Sequence, residues 1–201
     1  YEHISQFLAN RPIKRLLLQA NKIAYATVKQ LSDQTQVVNA ISPSTLFKSR
    51  KDQQELAHIR EAMRQDGIAL CEFFAWLDEM VIAQKRISEL DIAEELANWR
   101  AKQRHFVSLS FPTIAGFNTN SAMAHYVATS QSYAWIEGDG LLLIDSGAQY
   151  QNGTTDITRV VAINQVTKMQ RRDYTLVMKA HINMASLVYP QGISMPLLDI
   201  M

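Results

Sequence analysis

Apolar residues in the first 41 positions form two short runs with a helical pattern between them. Residues 13–19 and 36–41 predict strands, and residues 21–31 predict the intervening helix, so that together they predict a βαβ element. A two-stranded sheet is marginally stable by itself, so we expect this element to be the end of a preceding α/β domain. Ser42-Pro43-Ser44 marks the join and divides the chain into predicted domains at 1–41 and 42–201.

Beyond residue 44, apolar residues recur first at the spacing typical of helices and then at the spacing typical of strands. An apolar stripe over 56–81 predicts a long helix, and the capping-box pattern of Ser88–Asp91 predicts the start of a second one. Between 106 and 163, β-like runs that include 126–136 alternate with turn residues, and a last helical pattern covers 169–188. Helices followed by antiparallel strands and another helix predict an α+β fold.

The composition narrows the possible functions. Lys and Arg number 20 and Asp and Glu 19, a net charge of +1, which argues against a nucleic-acid-binding protein that relies on phosphate contacts. The longest aliphatic run, Leu141–Ile144, is too short to cross a bilayer, and the single cysteine excludes an internal disulfide framework. Because the N-terminus also lacks the pattern of a secretory signal, we expect a cytoplasmic protein with no nucleic-acid or membrane partner.

The candidate chemistry lies in two aspartates on neighbouring predicted strands. In a hairpin register that pairs Gln149 with Thr154, Asp145 and Asp156 are diagonal neighbours on one face, about 7–8 Å apart. Carboxylates so placed can share two divalent metal ions. With a two-residue turn at 152–153 instead, the aspartates are roughly 13 Å apart and cannot share a metal ion. The spacing permits both registers.

Spacing by itself also leaves a structural interpretation open. Asp145 can end a strand beside a turn, and Asp156 can be a solvated strand residue. Two aspartates supply too few ligands for two metal ions, so a metal site needs further ligands. Two other candidates are interpreted as structural: His181 as a core histidine on an apolar helix face, and Cys71 as a half-buried thiol.

Three segments carry a resemblance to a known family: ELAHIREAMRQDGIALCEFFAWL, LSFPTIAGFNTNSAMAHY and IDSGAQYQNGTTDITRVV. In this order they resemble the first long catalytic helix, the substrate-side histidine segment and the first metal-ligand motif of aminopeptidase P, the Xaa-Pro aminopeptidases of the pita-bread metallopeptidase family. The resemblance covers residues 42–201 and implies the first half of a pita-bread catalytic domain. Residues 1–41 then correspond to the end of a creatinase-like, non-catalytic N-terminal domain.

The resemblance implies a reaction and the residues that take part in it. Asp145 matches the aspartate that chelates one metal ion, and Asp156 matches the aspartate that bridges two ions, usually manganese. His125 matches the histidine that contacts the substrate near the scissile bond. The implied activity is hydrolysis of the bond between an N-terminal residue and a following proline, by a hydroxide that bridges the two metals. The implied substrates are peptides with proline at the second position, and the full-length protein is implied to be a homodimer.

Two departures from the family pattern limit what this chain can do. Asn120-Ser121 replaces the Asn-Gly that is usual before the histidine, which can alter the loop that presents His125. In addition, no residues match the family's later metal ligands, one histidine and two glutamates. We therefore expect an incomplete chain that is inactive alone, which agrees with a helix that opens at Ser194 and stops after about one turn. A prolidase-type dipeptidase and a non-catalytic pita-bread binding protein are the alternatives.

Overall fold

The computed structural model describes residues 3–198. Its helices are α1 (Ile4–Ala9), α2 (Tyr25–Val28), α3 (Pro43–Ser49), α4 (Gln53–Ile82), α5 (Glu89–Ala101), α6 (Lys168–Ala185) and α7 (Met195–Leu198). Its strands are β1 (Arg15–Leu18), β2 (Gln36–Asn39), β3 (Phe106–Leu109), β4 (Ile114–Phe117), β5 (Gly140–Ser146), β6 (Ala148–Tyr150), β7 (Gly153–Thr154) and β8 (Ile157–Ile163). Within the described range, no helix combines the length and the apolar character needed to cross a membrane.

The chain divides into two compact units, one up to Ala57 and one from His58 onward. The first unit contains the predicted βαβ element, in which β1 and β2 pair in parallel. The predicted helix over 21–31 is wrong in extent, because a 3-10 turn at Ala20–Lys22 and extended backbone at Ile23 come before the short α2. Neither piece buries a side chain, so no packing offsets the cost of starting a longer helix. The domain boundary between residues 41 and 42 stays a prediction.

In the second unit, α5 and α6 begin at residues whose side chains cap the helix. The predicted capping box of α5 is confirmed: Ser88 Oγ accepts from the N–H of Asp91, and the Asp91 carboxylate accepts from the N–H of Ser88. Thr167 and Gln170 form the same arrangement at the start of α6. Side-chain acceptors thus satisfy N–H groups that a helix start otherwise leaves unpaired.

The apolar stripe predicted for α4 is right only in the C-terminal half of the helix. Leu70 and Leu77 are buried there, whereas Met63 is 40% exposed. In the N-terminal half, a neighbouring face is buried and includes the wholly buried side chain of Asp66. Asp66 tolerates burial because it forms an ion pair with Arg100 of α5, a long-range contact that apolar periodicity does not register.

The side chains predicted to be buried on α6 are exposed instead. None of the residues of α6 is buried, and Val177 on its predicted apolar face is 71% exposed. His181 is exposed, so its interpretation as a core histidine is wrong, and the half-buried position expected for Cys71 on α4 is wrong as well. Periodicity identifies which residues share a helix face, but another element must pack on that face to bury them.

Two three-stranded antiparallel sheets complete the second unit. Their strand orders are β3-β6-β7 and β4-β5-β8, so the predicted antiparallel meander and the α+β fold class are confirmed. The β-structure predicted over 126–136 is wrong, since only isolated bridges occur there. Backbone groups at the end of this segment bind residues 87–89, which precede and begin α5, instead of a strand.

One face of β5 contributes to the hydrophobic core, and the first candidate aspartate lies on its other face. Buried and less buried side chains alternate along β5, and Leu142 and Ile144 belong to the core cluster together with Phe73 of α4 and Ile92 of α5. Successive side chains of a strand point to opposite faces of the sheet. Asp145 therefore lies on the face opposite the core, where its carboxylate is partly exposed.

Candidate metal centre

The two candidate aspartates lie where a hairpin passes from one sheet into the other. β5 and β6 follow one another with only Gly147 between them, while Thr155 and Asp156 separate β7 from β8. β5 and β8 belong to one sheet, and β6 and β7 belong to the other. Asp145 is therefore near the end of its strand, and Asp156 is an exposed residue in the gap on the facing strand.

The hairpin register makes the two aspartates neighbours. Gln149 opposes Thr154 in one sheet and Asp145 opposes Thr158 in the other, which is the same register on both sides of the crossing. Asp145 and Asp156 are thus diagonal neighbours, which lie about 7–8 Å apart in a regular ladder. The alternative turn at 152–153 is wrong, because it requires a different partner for Thr154; Tyr150 pairs with Gly153, so the loop consists of residues 151–152.

Gly147 is required at the crossing because the two backbones approach closely there. A Cβ atom built on Gly147 overlaps the carbonyl oxygen of Thr155 and the hydroxyl of Ser110. Ser110 binds both strands: its N–H donates to the Gly147 carbonyl at 3.1 Å, and its hydroxyl donates to the Thr155 carbonyl at 3.0 Å. The Thr155 hydroxyl in turn accepts from the N–H of Ala148 at 2.9 Å. These bonds fix the backbone next to Asp156.

The Asp145 carboxylate is oriented by a threonine on the neighbouring strand. Thr158 Oγ1 donates to Asp145 Oδ1 at 2.8 Å, which leaves the second carboxylate oxygen available to a ligand. Carboxylate oxygens are hard ligands that suit Mg²⁺ and Mn²⁺. Among residues 3–198, however, no three His, Cys, Asp or Glu side chains come close enough to hold a metal ion. The aspartates therefore fit a divalent metal as part of a ligand set that needs further members.

A buried ion pair anchors the other end of the hairpin. Arg100 Nε and Nη2 donate to the two carboxylate oxygens of Asp66 at 2.7 and 3.0 Å. The hydroxyl of Tyr150 on β6 also donates to this carboxylate, at 2.9 Å. Burial, followed by the negative charge of Asp66, raises the pKa of Tyr150, so its hydroxyl stays a donor. The network joins α4, α5 and β6 inside the second unit.

His125 belongs to a different loop from the hairpin that carries the two aspartates. It is exposed in a turn that follows the 3-10 helix Asn118–Ala122. In the part of the chain that the structure describes, it forms no three-residue group with Asp145 and Asp156 that could hold a metal ion. The structure thus brings the two predicted metal ligands together and places the third candidate residue on a separate loop.

Comparison with known proteins identifies the family of this chain. A model of metallopeptidase family M24 matches residues 57–200. The chain belongs to family M24. A probable Xaa-Pro aminopeptidase P from Metarhizium acridum is 39% identical over 176 residues, which are 87% of this chain and 28% of that protein. A probable Xaa-Pro aminopeptidase P from Neurospora crassa is 36% identical over 187 residues, which are 92% of this chain and 27% of that protein. The M24 chain thus spans less than a third of these relatives.

Solved structures confirm the predicted fold and resemblance. The X-prolyl aminopeptidase of Caenorhabditis elegans, described as a cytosolic enzyme with a di-nuclear active site, matches with a TM-score of 0.85 and 29% identity. The match covers 98% of this M24 chain and 33% of that chain. The N-terminal domain of the FACT complex subunit SPT16 from chickpea matches with a TM-score of 0.69 at 14% identity, over 91% of this chain and 46% of that one. The second likeness shows the fold alone.

A second buried carboxylate in this M24 chain holds the loop that carries His125. We call residues 118–134 the His125 loop. Glu89, the first residue of α5, is fully buried and accepts from the Tyr126 hydroxyl at 2.7 Å and from Asn120 Nδ2 at 3.0 Å. Burial, followed by the hydrogen bond to Glu89, raises the pKa of Tyr126 to about 12. Its hydroxyl therefore remains a donor at any physiological pH.

Sequence reasoning missed Glu89, Thr158 and Ser110 as parts of the site. The only signal for Glu89 is an acidic residue at the first position of α5, which the helix dipole favours whether or not that residue is buried. Thr158 and Ser110 are small hydroxyl residues of strand and turn segments, with no local feature that distinguishes them. Their contacts join residues far apart in sequence, so only the assembled sheets reveal them.

Proposed function

We propose that this chain belongs to a metal-dependent Xaa-Pro aminopeptidase, which hydrolyses the bond between an N-terminal residue and a following proline. The observation that carries the proposal is the diagonal placement of Asp145 and Asp156 across one hairpin register in an M24 chain. The names of its relatives and the di-nuclear active site ascribed to the Caenorhabditis elegans enzyme support it. Peptides with proline at the second position are the proposed substrates.

The two aspartates are the residues that would hold metal in this chain. We assign Asp145 to one divalent ion and Asp156 to a bridging position between two, and manganese is the proposed metal because it suits carboxylate ligands. When bound, such ions supply Lewis acidity toward a peptide carbonyl. Thr158 keeps the Asp145 carboxylate in one orientation through its hydrogen bond at 2.8 Å. Gly147 lets the two strands approach closely enough to keep both carboxylates in register.

His125 is the proposed substrate-contacting residue. Its side chain is exposed, so a bound substrate can reach it and accept a hydrogen bond from it near the scissile bond. A donor aimed at the oxygen on which negative charge develops stabilises the transition state more than the bound substrate. Cytoplasmic location and homodimerisation are proposed with this function, the first because the Caenorhabditis elegans relative is described as cytosolic.

The decisive experiment is Asp156→Asn in the full-length protein that contains this chain. The asparagine keeps the shape of the side chain and removes the charge that a bridging ligand needs, so both Mn²⁺ binding and Xaa-Pro cleavage should be lost. Asp78→Asn, the same change at an exposed position of α4, is the matched control and should retain both. Calorimetric titration with Mn²⁺ and a peptide cleavage assay measure the two properties separately.

The same assays separate the proposal from its alternatives. A prolidase-type enzyme would cleave Xaa-Pro dipeptides and leave longer peptides with proline at the second position intact. A non-catalytic binding protein would cleave neither. Near-normal turnover by Asp156→Asn would refute the assignment of this residue to the metal centre.

A further inference from the structure

Glu89 is a buried carboxylate whose partners are hydrogen-bond donors. It is fully buried, and no lysine or arginine within residues 3–198 forms an ion pair with it. The N–H groups of Phe117 and Ala134 each donate to it at 2.7 Å, as does the Tyr126 hydroxyl, and Asn120 Nδ2 donates at 3.0 Å. Hydrogen bonds to an ionised acceptor are roughly twice as strong as neutral ones. The positive end of the α5 dipole also stabilises a negative charge at this position.

The donors belong to the His125 loop or directly precede it. Asn120 lies before His125, Tyr126 follows it immediately, and Ala134 is the last residue of the loop. Asn120 Nδ2 also donates to the Tyr126 hydroxyl at 3.0 Å, so these two residues bind each other as well as Glu89. The Glu89 carboxylate thus accepts hydrogen bonds from the start, the middle and the end of the His125 loop.

The end of the loop has a second attachment that does not use the Glu89 side chain. The N–H of Glu89 donates to the Ala134 carbonyl at 3.1 Å, and the N–H of Ile136 donates to the Ile87 carbonyl at 2.9 Å. These backbone bonds survive any change of the Glu89 side chain. Loss of the carboxylate should therefore release Asn120 and Tyr126 while the loop end stays attached.

The position of Tyr126 determines the backbone from which His125 projects. Tyr126 is only 7% exposed, whereas the adjacent His125 is exposed. We propose that Glu89 is a positioning residue for the reaction: through Asn120 and Tyr126, its buried carboxylate fixes where His125 meets the substrate. This inference rests on the proposed function, because it takes His125 as the residue that contacts the substrate.

The test compares Glu89→Gln with the milder Tyr126→Phe in the full-length protein that contains this chain. Glutamine keeps the shape, but its amide nitrogen cannot accept from the donors of the loop. We expect kcat on an Xaa-Pro peptide to fall by about 10- to 10²-fold, because small displacements of a catalytic group have effects of this size. Affinity for Mn²⁺ should stay at the wild-type value, since Glu89 lies outside the aspartate pair. Tyr126→Phe should lower kcat in the same direction but less.

Tyr150→Phe is the matched comparison for Tyr126→Phe. Each variant removes one hydroxyl that donates to a buried carboxylate, Glu89 in one case and Asp66 in the other. Tyr150 belongs to the network that anchors the metal hairpin, so any loss of kcat in Tyr150→Phe should be as large in the His125→Ala background as in the wild type. The loss in Tyr126→Phe should disappear in the His125→Ala background. If both variants lower kcat by the same factor in both backgrounds, the proposal is overturned, since the losses would reflect stability in general.

A double-mutant cycle with His125→Ala shows whether Glu89 acts through His125. The combined variant Glu89→Gln/His125→Ala should be no slower than His125→Ala alone, because a positioning residue has nothing left to position. Multiplied losses would refute the proposal, as would wild-type kcat in Glu89→Gln. If Glu89→Gln does not fold, the same cycle is measured with Tyr126→Phe in its place. The combined variant Tyr126→Phe/His125→Ala should then be no slower than His125→Ala alone. A wild-type protein that does not cleave Xaa-Pro peptides would refute the proposed function itself, and one that cleaves them without depending on His125 would refute the proposed role of His125.

Discussion

Replacing Arg100 with methionine tests the buried ion pair that anchors the metal hairpin. Arg100 and Asp66 are both fully buried, and two hydrogen bonds of 2.7 and 3.0 Å join them. In Arg100→Met, the Asp66 carboxylate keeps only the hydroxyl of Tyr150 as its described side-chain partner. Removing one partner of a buried pair leaves an uncompensated charge and costs about 3–5 kcal/mol of unfolding free energy.

The magnitude translates into a measurable change in urea denaturation. With an m-value of about 2 kcal/mol per molar urea, a loss of about 3–5 kcal/mol lowers the midpoint by roughly 1.5–2.5 M. Arg64→Met is the matched control, because Arg64 also pairs with a carboxylate of α4, Glu61, but both side chains are exposed. Exposed ion pairs contribute little, so this control should leave the midpoint unchanged within error.

A double variant separates the loss of a pair from the loss of packing. Asp66→Leu combined with Arg100→Met removes both charges and leaves apolar side chains, which should restore much of the stability lost in Arg100→Met. The reasoning is refuted if Arg100→Met shifts the midpoint no more than Arg64→Met does. It is also refuted if the double variant is less stable than Arg100→Met, since the cost would then come from volume and not from charge.

The hairpin and the His125 loop give three further predictions. Gly147→Ala should lower Mn²⁺ affinity, measured by calorimetry, and the melting temperature, because the added Cβ overlaps the Thr155 carbonyl; Gly67→Ala, where a Cβ meets nothing within 4 Å, should lower neither. His125→Ala should lower kcat/KM by about 10²-fold or more with little change in melting temperature, and a large stability loss with intact turnover would make His125 structural. The folded-state pKa of Tyr126 is about 12 against 10.0 for an ordinary tyrosine, so the wild type should lose stability as pH rises above 10.0 toward about 12. Tyr126→Phe should lose less over that range, as urea midpoints on either side of pH 10.0 will show.

The sequence was sufficient to predict the family of this M24 chain, because the residues of each motif are adjacent in sequence. The aspartate segment, the histidine segment and the first catalytic helix each form one continuous run. The capping box at Ser88 and the antiparallel strands were also predictable, since capping residues and apolar alternation act between near neighbours. The hairpin, in contrast, had two registers that the sequence allowed equally, and only the pairing of Gln149 with Thr154 decides between them.

What the sequence determined by itself was the local part of the protein: the helices and strands outside 21–31 and 126–136, which side chains share a face, and which motifs they carry. The tertiary structure alone decided which polar groups are buried and what they bind. Asp66 lies within a predicted helix and Glu89 at the start of another, yet both are fully buried because the fold supplies Arg100 to one and the His125 loop to the other. The physical reason is that burying a charge is unfavourable unless partners satisfy it, and these partners come from distant parts of the chain that no local pattern reports.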